Sequence, residues 1–435
     1  MANARKAAVS GLIKVENSGW SNLIVNSVLQ EVGLDVQSRS FAVHLFYGTL
    51  ERRYTLDALL KLFINKDISK LDIEVINILR SALYQIFYMD SVPTYVAVNE
   101  AVSLCRVFKK SSATGFVNTV LRKSTEHGLI DEFNSEEERL HIQYSVNKPI
   151  VNMLLSQYKE DAEGILKSFF VPRKIIIRVN TLKITKDELI NYFKKLQIEV
   201  EESNIENAIV LYYKGDLTKL KPFQEGLFHV QGEASQWCIQ AAEIVPNSTV
   251  IDLCAAPGGK TATIAQYMEN TGTLICADKS SSRLKLAQTL LSRLAVSNVK
   301  FIINDATTFS EKIDAADTIL CDVPCSGLGI IAKKPDIRFK NLEDIEELFE
   351  IQRNILLTAT KYVKIHGKLV YSTCTINKKE NEDQIKWFLS KNENYEVVIP
   401  KYVMPESEIT KFGTVLLPNK TQTDGFFVAV MKRMW

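Results

Sequence analysis

A chain of 435 residues has room for about two to four domains. Its 46% hydrophobic content provides for a sizeable core, and a formal charge of only +2 excludes bulk basicity as the sign of a nucleic-acid partner, so any basic surface must be local. No run reaches the roughly 18 apolar residues of a membrane span, no signal-peptide core follows the first residues, seven scattered cysteines frame no disulfide scaffold, and five widely spaced histidines show no metal-ligand spacing; together these predict a reduced, cytoplasmic chain with no membrane segment and no metal.

Residues 1–145 are predicted to be helical. Apolar residues recur at helical spacing over 21–29 and again from Leu71 to Leu83. Pro93 breaks the pattern before a helix predicted over Val96–Phe108, and Lys109–Ser112 leads into another over Gly115–Lys123. There is no strand pattern, so this part reads as an all-α bundle. Asn118, Arg122 and Lys123 could contact phosphates, or be the solvated face of an amphipathic helix.

Residues 146–246 mix the two periods. Lys174–Asn180 and Ile209–Tyr213 are predicted strands, and Lys186–Leu196 a helix, giving a small α+β module. Arg173, Lys174, Arg178, Lys183 and Lys186 crowd around one strand and its exit. Phosphate contact and a plain solvated edge both suit that cluster. A helix over Ala234–Ile244, ended by Pro246, leads into the last part.

From 247 to 435 strands and helices alternate. Strands are predicted at Val250–Leu253, Thr273–Ala277, Val299–Ile303, Thr318–Cys321, Lys368–Ser372, Tyr395–Ile399 and Phe426–Met431. This is the pattern of a doubly wound, mostly parallel α/β sheet of Rossmann-like type.

Ligands of such sheets sit at the carboxyl ends of the strands. The first strand exits into Cys254, Ala255, Ala256, Pro257, Gly258, Gly259 and Lys260, a small-residue turn that opens a helix. Neither the dinucleotide glycine fingerprint nor the phosphate-loop spacing is present. A bare loop of this kind suits S-adenosyl-L-methionine, which has an amino-acid tail and no phosphate. The second strand exits at Asp278, where an acid commonly holds ribose hydroxyls, and the third at Asp305, placed for an adenine edge. The fourth exits into Asp322-Val-Pro-Cys325, the fifth into Ser372-Thr-Cys374. One acid at a strand end is usually a loop cap; polar or reactive groups at five consecutive strand ends are not expected by chance. Both cysteines lie in loops rather than in apolar runs, unlike the usual buried filler. Asn377 and Glu380 predict a capped helix just after Cys374, and a helix start with Lys260 nearby would favour a thiolate there.

A methyl donor, a thiolate and a carboxyl group suit methylation of cytosine C5. That carbon is a poor nucleophile until a thiolate adds to C6 and breaks the ring's aromaticity. A protonated Asp322 near ring N3 would stabilise the adduct. The base must leave its stack to enter such a site.

On Asp252–Lys260, Asp278, Asp305, Asp322–Gly327 and Ser372–Cys374, residues 230–435 resemble the RNA (cytosine-5) methyltransferases of the Fmu/Sun/Nop family. The resemblance implies that Cys374 is the nucleophile and that Cys325 assists release of the methylated base. It also implies that Cys254–Lys260, Asp278, Asp305 and Asp322 line an S-adenosyl-L-methionine pocket, with Asp322 and Lys260 also near the cytosine. Lys334-Pro-Asp-Ile-Arg338 is similar to the family's loop after the Pro-Cys motif, and Arg338 is grouped with the RNA contacts. Val98–Val102 and Ser112–Arg122 resemble a NusB-type RNA-binding helical domain, and Arg178–Lys183 the family's middle RNA-binding module. The domains implied are therefore a NusB-like bundle at 1–145, an α+β RNA-binding module at 146–246 and the catalytic domain at 247–435. The substrate implied is 16S ribosomal RNA, and the expected state is a monomer. A transfer-RNA cytosine methyltransferase, a non-catalytic RNA-binding factor and a nicotinamide oxidoreductase are the competing readings. The two cysteines with Asp322 speak against the second, and the missing dinucleotide glycines against the third.

Overall fold

The computed structural model describes residues 2–18, 24, 28, 33–65 and 67–435. The helical spacing expected over 21–29 thus lies largely outside the described residues. The chain divides into two compact units: Met1–Phe169 with Lys333–Leu342, and Phe170–Ala332 with Glu343–Trp435. No helix among the described residues is long and apolar enough to cross a membrane, and none of their His, Cys, Asp and Glu side chains group as a metal site.

The first unit is built of helices among its described residues, as expected. The helix Ile73–Tyr88 is buried continuously from Val75 to Gln85. A helix is buried on all sides only when neighbours surround it, and here Ala2–Ser18, Val36–Glu51, Thr94–Val107 and Thr114–His127 all pack on it. Gly48 lets one of these approach, because a Cβ there would lie 1.9 Å from Tyr84 Cζ. The buried Arg80 of the central helix pairs with Glu16 and, through Nε, with Asp57 Oδ1 at 2.6 Å. Helix ends follow sequence chemistry: Asp35 Oδ1 accepts from Ser38 N, and Ser135 Oγ from Glu138 N ahead of three glutamates in the first turn.

Arg338 corrects one expectation. It is fully buried, and its Nη1 and Nη2 donate to the carbonyls of Tyr144 at 3.0 Å and Phe169 at 2.9 Å. Asn147 returns the tie, its N donating to Arg338 O and its Nδ2 to Lys340 O. This guanidinium staples the Lys333–Leu342 segment into its unit and offers nothing to RNA.

The second unit opens with a four-stranded antiparallel sheet in the order β2-β3-β1-β4, where β1 is Ile175–Val179, β2 Glu199–Glu202, β3 Ala208–Tyr212 and β4 Phe228–Val230. The helix Lys186–Lys195 starts on a Thr185/Glu188 capping box and buries Leu189 and Phe193 against Ile177, Val179 and Phe228. Strands β2 and β4 were not expected. The first is an edge strand of mostly glutamates, and the second is only three residues long, so neither carries an apolar signal.

The larger sheet has nine strands. Its path is β11-β12-β13-β9-β8-β5-β6-β7, with β10 beside β13. Here β5 is Thr249–Asp252, β6 Thr273–Asp278, β7 Val299–Ile303, β8 Ala316–Asp322, β9 Val363–Thr373, β10 Tyr395–Val398, β11 Glu408–Thr410, β12 Gly413–Leu416 and β13 Phe426–Arg433. The strands from β9 to β7 run parallel, and the later ones are added antiparallel. The α/β expectation holds; β11 and β12 are additions to it. Helices such as Gly259–Tyr267 and Ser281–Arg293 cover the parallel part, with Ile264, Ala265, Leu284 and Leu291 inward.

Candidate active site

The parallel strands β5, β6, β7, β8 and β9 all end at one edge of the sheet, and the predicted site residues gather there. After β5 the chain turns through Cys254–Gly258, with Ala255 N donating to Ala277 O and Gly258 N to Ala255 O. Gly258 sits at φ +102°, and a Cβ on it would lie 2.9 Å from Ala287 Cβ, so only glycine fits. The helix Gly259–Tyr267 starts at once, presenting the positive end of its dipole to whatever occupies the turn.

Asp278 closes the turn. Its Oδ2 accepts from Ala256 N at 3.2 Å, its Oδ1 from Ser280 N at 2.9 Å, and Arg283 pairs with it at 3.5 Å. Asp305 accepts from Thr307 N and Oγ1, and those bonds hold its carboxyl below the usual range. A cavity of ≈ 200 Å³ opens between them, lined by Cys254, Asp278, Asp305, Ala306, Pro324 and Ile351 among others. Cys254 contributes bulk rather than charge, since burial pushes its thiol well above the ordinary range.

After β8 and β9 come the reactive groups. Lys260 Nζ donates to Asp322 Oδ2 at 2.8 Å, and Ser372 Oγ donates to Asp322 Oδ1 at 2.8 Å. Burial works against the Lys260 ammonium, but Asp322 and the nearby Cys238 and Cys374 sulfurs outweigh it and raise its pKa above the usual value. Asp322 thus accepts at both oxygens, from Lys260 and from Ser372.

The sulfurs of Cys325 and Cys374 lie 3.3 Å apart, and neither cysteine is in a disulfide. The hydrogen bond to Cys374, reinforced by burial, pushes the Cys325 thiol well above its ordinary range. Cys325 therefore keeps its proton. The capped helix expected directly after Cys374 is absent from that position. Asn377 caps only a 3₁₀ turn, Lys378–Glu380, and the α-helix begins at Glu382. The groups beside the Cys374 sulfur are Cys325 and Lys260, not a helix start.

Sequence reading missed what holds these loops. Glu380 is buried and accepts from Ser326 N at 2.8 Å and from Gln352 Nε2 at 3.2 Å, and Ser326 Oγ meets Thr375 Oγ1 at 2.7 Å. The only signal was an acid six residues after Cys374, which local spacing alone assigns to a cap.

The proposed basic contacts divide. Arg178 is buried, its Nε on Gln266 Oε1 at 2.9 Å and its Nη1 on Glu206 O, so it ties β1 to the helix Gly259–Tyr267 and cannot serve as an RNA contact. Lys183 donates to Glu225 O and Arg293 O. Half-buried Arg173 donates to Gln422 O, and Lys174 pairs with Glu201. Arg122 is exposed on the helix Thr114–His127, beside a shallow cavity of ≈ 440 Å³ that Tyr95, Val98 and Asn99 also line.

Residues 239–432 match the family described as 16S rRNA methyltransferase RsmB/F, residues 2–126 the NusB family, and residues 148–218 the ferredoxin-like domain of RsmF/B-like methyltransferases. A Bacillus subtilis protein named "Probable ribosomal RNA small subunit methyltransferase B" is 34% identical over 99% of both chains. The ribosomal RNA small subunit methyltransferase B of Shewanella oneidensis is 28% identical over 98% of both. The crystal structure of PH0851 superposes with a TM-score of 0.85 at 25% identity, covering 100% of this chain and 99% of the other. That of NSun6 from Pyrococcus horikoshii with SFG gives 0.61 at 26% identity, covering 66% of this chain and 98% of the other.

Proposed function

We infer the activity from the family, for this chain belongs to the RsmB/F family of 16S rRNA methyltransferases, and we propose that it methylates C5 of a cytosine in 16S ribosomal RNA with S-adenosyl-L-methionine as donor. The observation that carries the cytosine-C5 reading is the Cys325–Cys374 pair, 3.3 Å apart beside the Lys260–Asp322 ion pair. Simple methyl transfer to a nitrogen or oxygen needs no thiol, whereas C5 must first be made nucleophilic.

The residues present fit the donor. A carboxylate, Asp278, stands on one side of a cavity whose other walls include the apolar Leu253, Ala306, Pro324 and Ile351, the set expected for a ribose diol and a flat ring. Cys254–Lys260 and Asp305 would complete the holding groups. Bound there, S-adenosyl-L-methionine supplies an electrophilic methyl group on a sulfonium.

The chain's own groups do the rest. The Cys374 sulfur bonds to C6, and the ring's electrons shift toward N3, where the Lys260 ammonium, held by Asp322, donates. C5 then takes the methyl, and its proton passes to water. The C6–S bond breaks, its electron pair returns to Cys374, and the Cys325 S–H stabilises that departing thiolate. Cys374→Ala protein should bind S-adenosyl-L-methionine normally yet form no 5-methylcytosine in small-subunit RNA, read by bisulfite sequencing. Undiminished methylation by that variant would remove Cys374 from the reaction.

A further inference from the structure

One buried group at the site takes no part in the steps above. Glu380 is fully inaccessible, at the end of the turn Lys378–Glu380. Its Oε1 accepts from Ser326 N at 2.8 Å and Gln352 Nε2 at 3.2 Å. Its Oε2 accepts from Ser326 Oγ at 2.5 Å and, at longer range, from Asn377 Nδ2 at 3.3 Å and Thr375 Oγ1 at 3.4 Å. A carboxylate buried away from water is tolerated only when donors surround it in this way.

The partners matter more than their number. Ser326 follows Cys325 directly, and Thr375 follows Cys374 directly. Gln352 also donates to Pro324 O, on the other side of Cys325. Gly329 N donates to Cys374 O, so the two loops are joined a second time a few residues on. The backbone N–H of Ser326 and the Gln352 and Asn377 amide N–H groups cannot become acceptors where they stand. A group that only accepts therefore fits between the loops, and an amide of the same shape places its own N–H₂ against one of these donors.

We propose that Glu380 is the positioning residue of the two-cysteine site: it clamps the Cys325 turn to the Cys374 turn and so sets the short sulfur–sulfur separation on which release of the methylated base depends. This rests on Cys374 as nucleophile and Cys325 as release group. Loosening the clamp moves the Cys325 thiol away from its partner while Cys374 stays at the end of β9. Addition to C6 then continues, but expulsion of the thiolate slows.

The test is full-length Glu380→Gln with small-subunit RNA and S-adenosyl-L-methionine. It is expected to keep the wild-type circular dichroism and S-adenosyl-L-methionine Kd. Its kcat should fall on the order of 10²-fold, the scale of an ångström-sized misplacement, and KM for RNA should fall with it, because enzyme accumulates in the covalent state. The fraction of enzyme in a slow-migrating protein–RNA species on a denaturing gel should rise several-fold, which loss of stability alone does not produce. Wild-type kcat, or a lower kcat with no rise in that species, overturns the assignment. Should Glu380→Gln fail to fold, Ser326→Ala removes one leg of the clamp and should raise the covalent fraction in the same direction; an unchanged fraction there overturns it. Cys374→Ala alongside separates the levels. Methylation by Cys374→Ala sinks the parent reading, whereas an inert Cys374→Ala with an ordinary Glu380→Gln sinks only the clamp.

Discussion

At the scale of single residues, the site is defined by where its protons sit. Cys325 keeps its proton because of its hydrogen bond with Cys374 and its burial, and Lys260 keeps its own because Asp322 outweighs the cost of burial. Both groups stand near the Cys374 sulfur. A third proton sits at the foot of the Cys254–Gly258 turn. Asp252, the last residue of β5, is fully buried, and burial pushes its pKa up to about 7, against a lowering bond from Thr261 Oγ1 at 2.8 Å. In the unfolded chain the same group titrates near about 4. Between those values the folded state holds the extra proton, so stability falls as pH rises, by at most about 1.4 kcal/mol per pH unit. The contribution is complete below about pH 4 and lost once pH has risen through about 7. Asp252→Asn carries no such proton. Urea unfolding of ligand-free protein should show wild type losing stability relative to Asp252→Asn between about pH 4 and pH 7. A difference that does not move with pH would place the Asp252 carboxyl in its ordinary range.

At the scale of elements, strand-to-loop junctions were the most legible part of the sequence. An apolar run followed by Gly258, or by Pro324 and Cys325, marks both the strand and its exit, and the structure brings those exits to one edge. Positions where one side chain serves two distant segments were not legible. Arg178 and Arg338 look like surface cations in a linear reading, because an arginine's partners here are carbonyls far away in sequence, with no signature of their own. Glu380 was misread for the same reason: its spacing suits a helix cap, while its real partner is Ser326, on another loop. For Arg338 the distinction is measurable. Arg338→Ala strands two buried carbonyls and should cost about 2–4 kcal/mol in urea unfolding. The slope of log affinity for RNA against log salt should stay at the wild-type value, since no phosphate contact is lost. A stable variant with a flatter slope would return Arg338 to the RNA interface.

At the scale of the whole molecule, composition was silent where local pattern was not. A charge of +2 over 435 residues gives no hint of an RNA partner, yet the order of a helical part, a small α+β module and an α/β domain follows from periodicity alone. What periodicity does not convey is how the chain is partitioned: Lys333–Leu342, reached only after β8, belongs to the helical unit through Arg338 and Asn147. The account's central claim is chemical, a transient bond between one cysteine and the pyrimidine ring. It is tested most directly with wild-type protein, S-adenosyl-L-methionine and small-subunit RNA carrying 5-fluorocytosine, from which C5 cannot shed its substituent as a proton. Peptide mass mapping of the arrested complex should find the nucleotide on Cys374. A nucleotide on Cys325, or no covalent species while ordinary RNA is still methylated at C5, would contradict it.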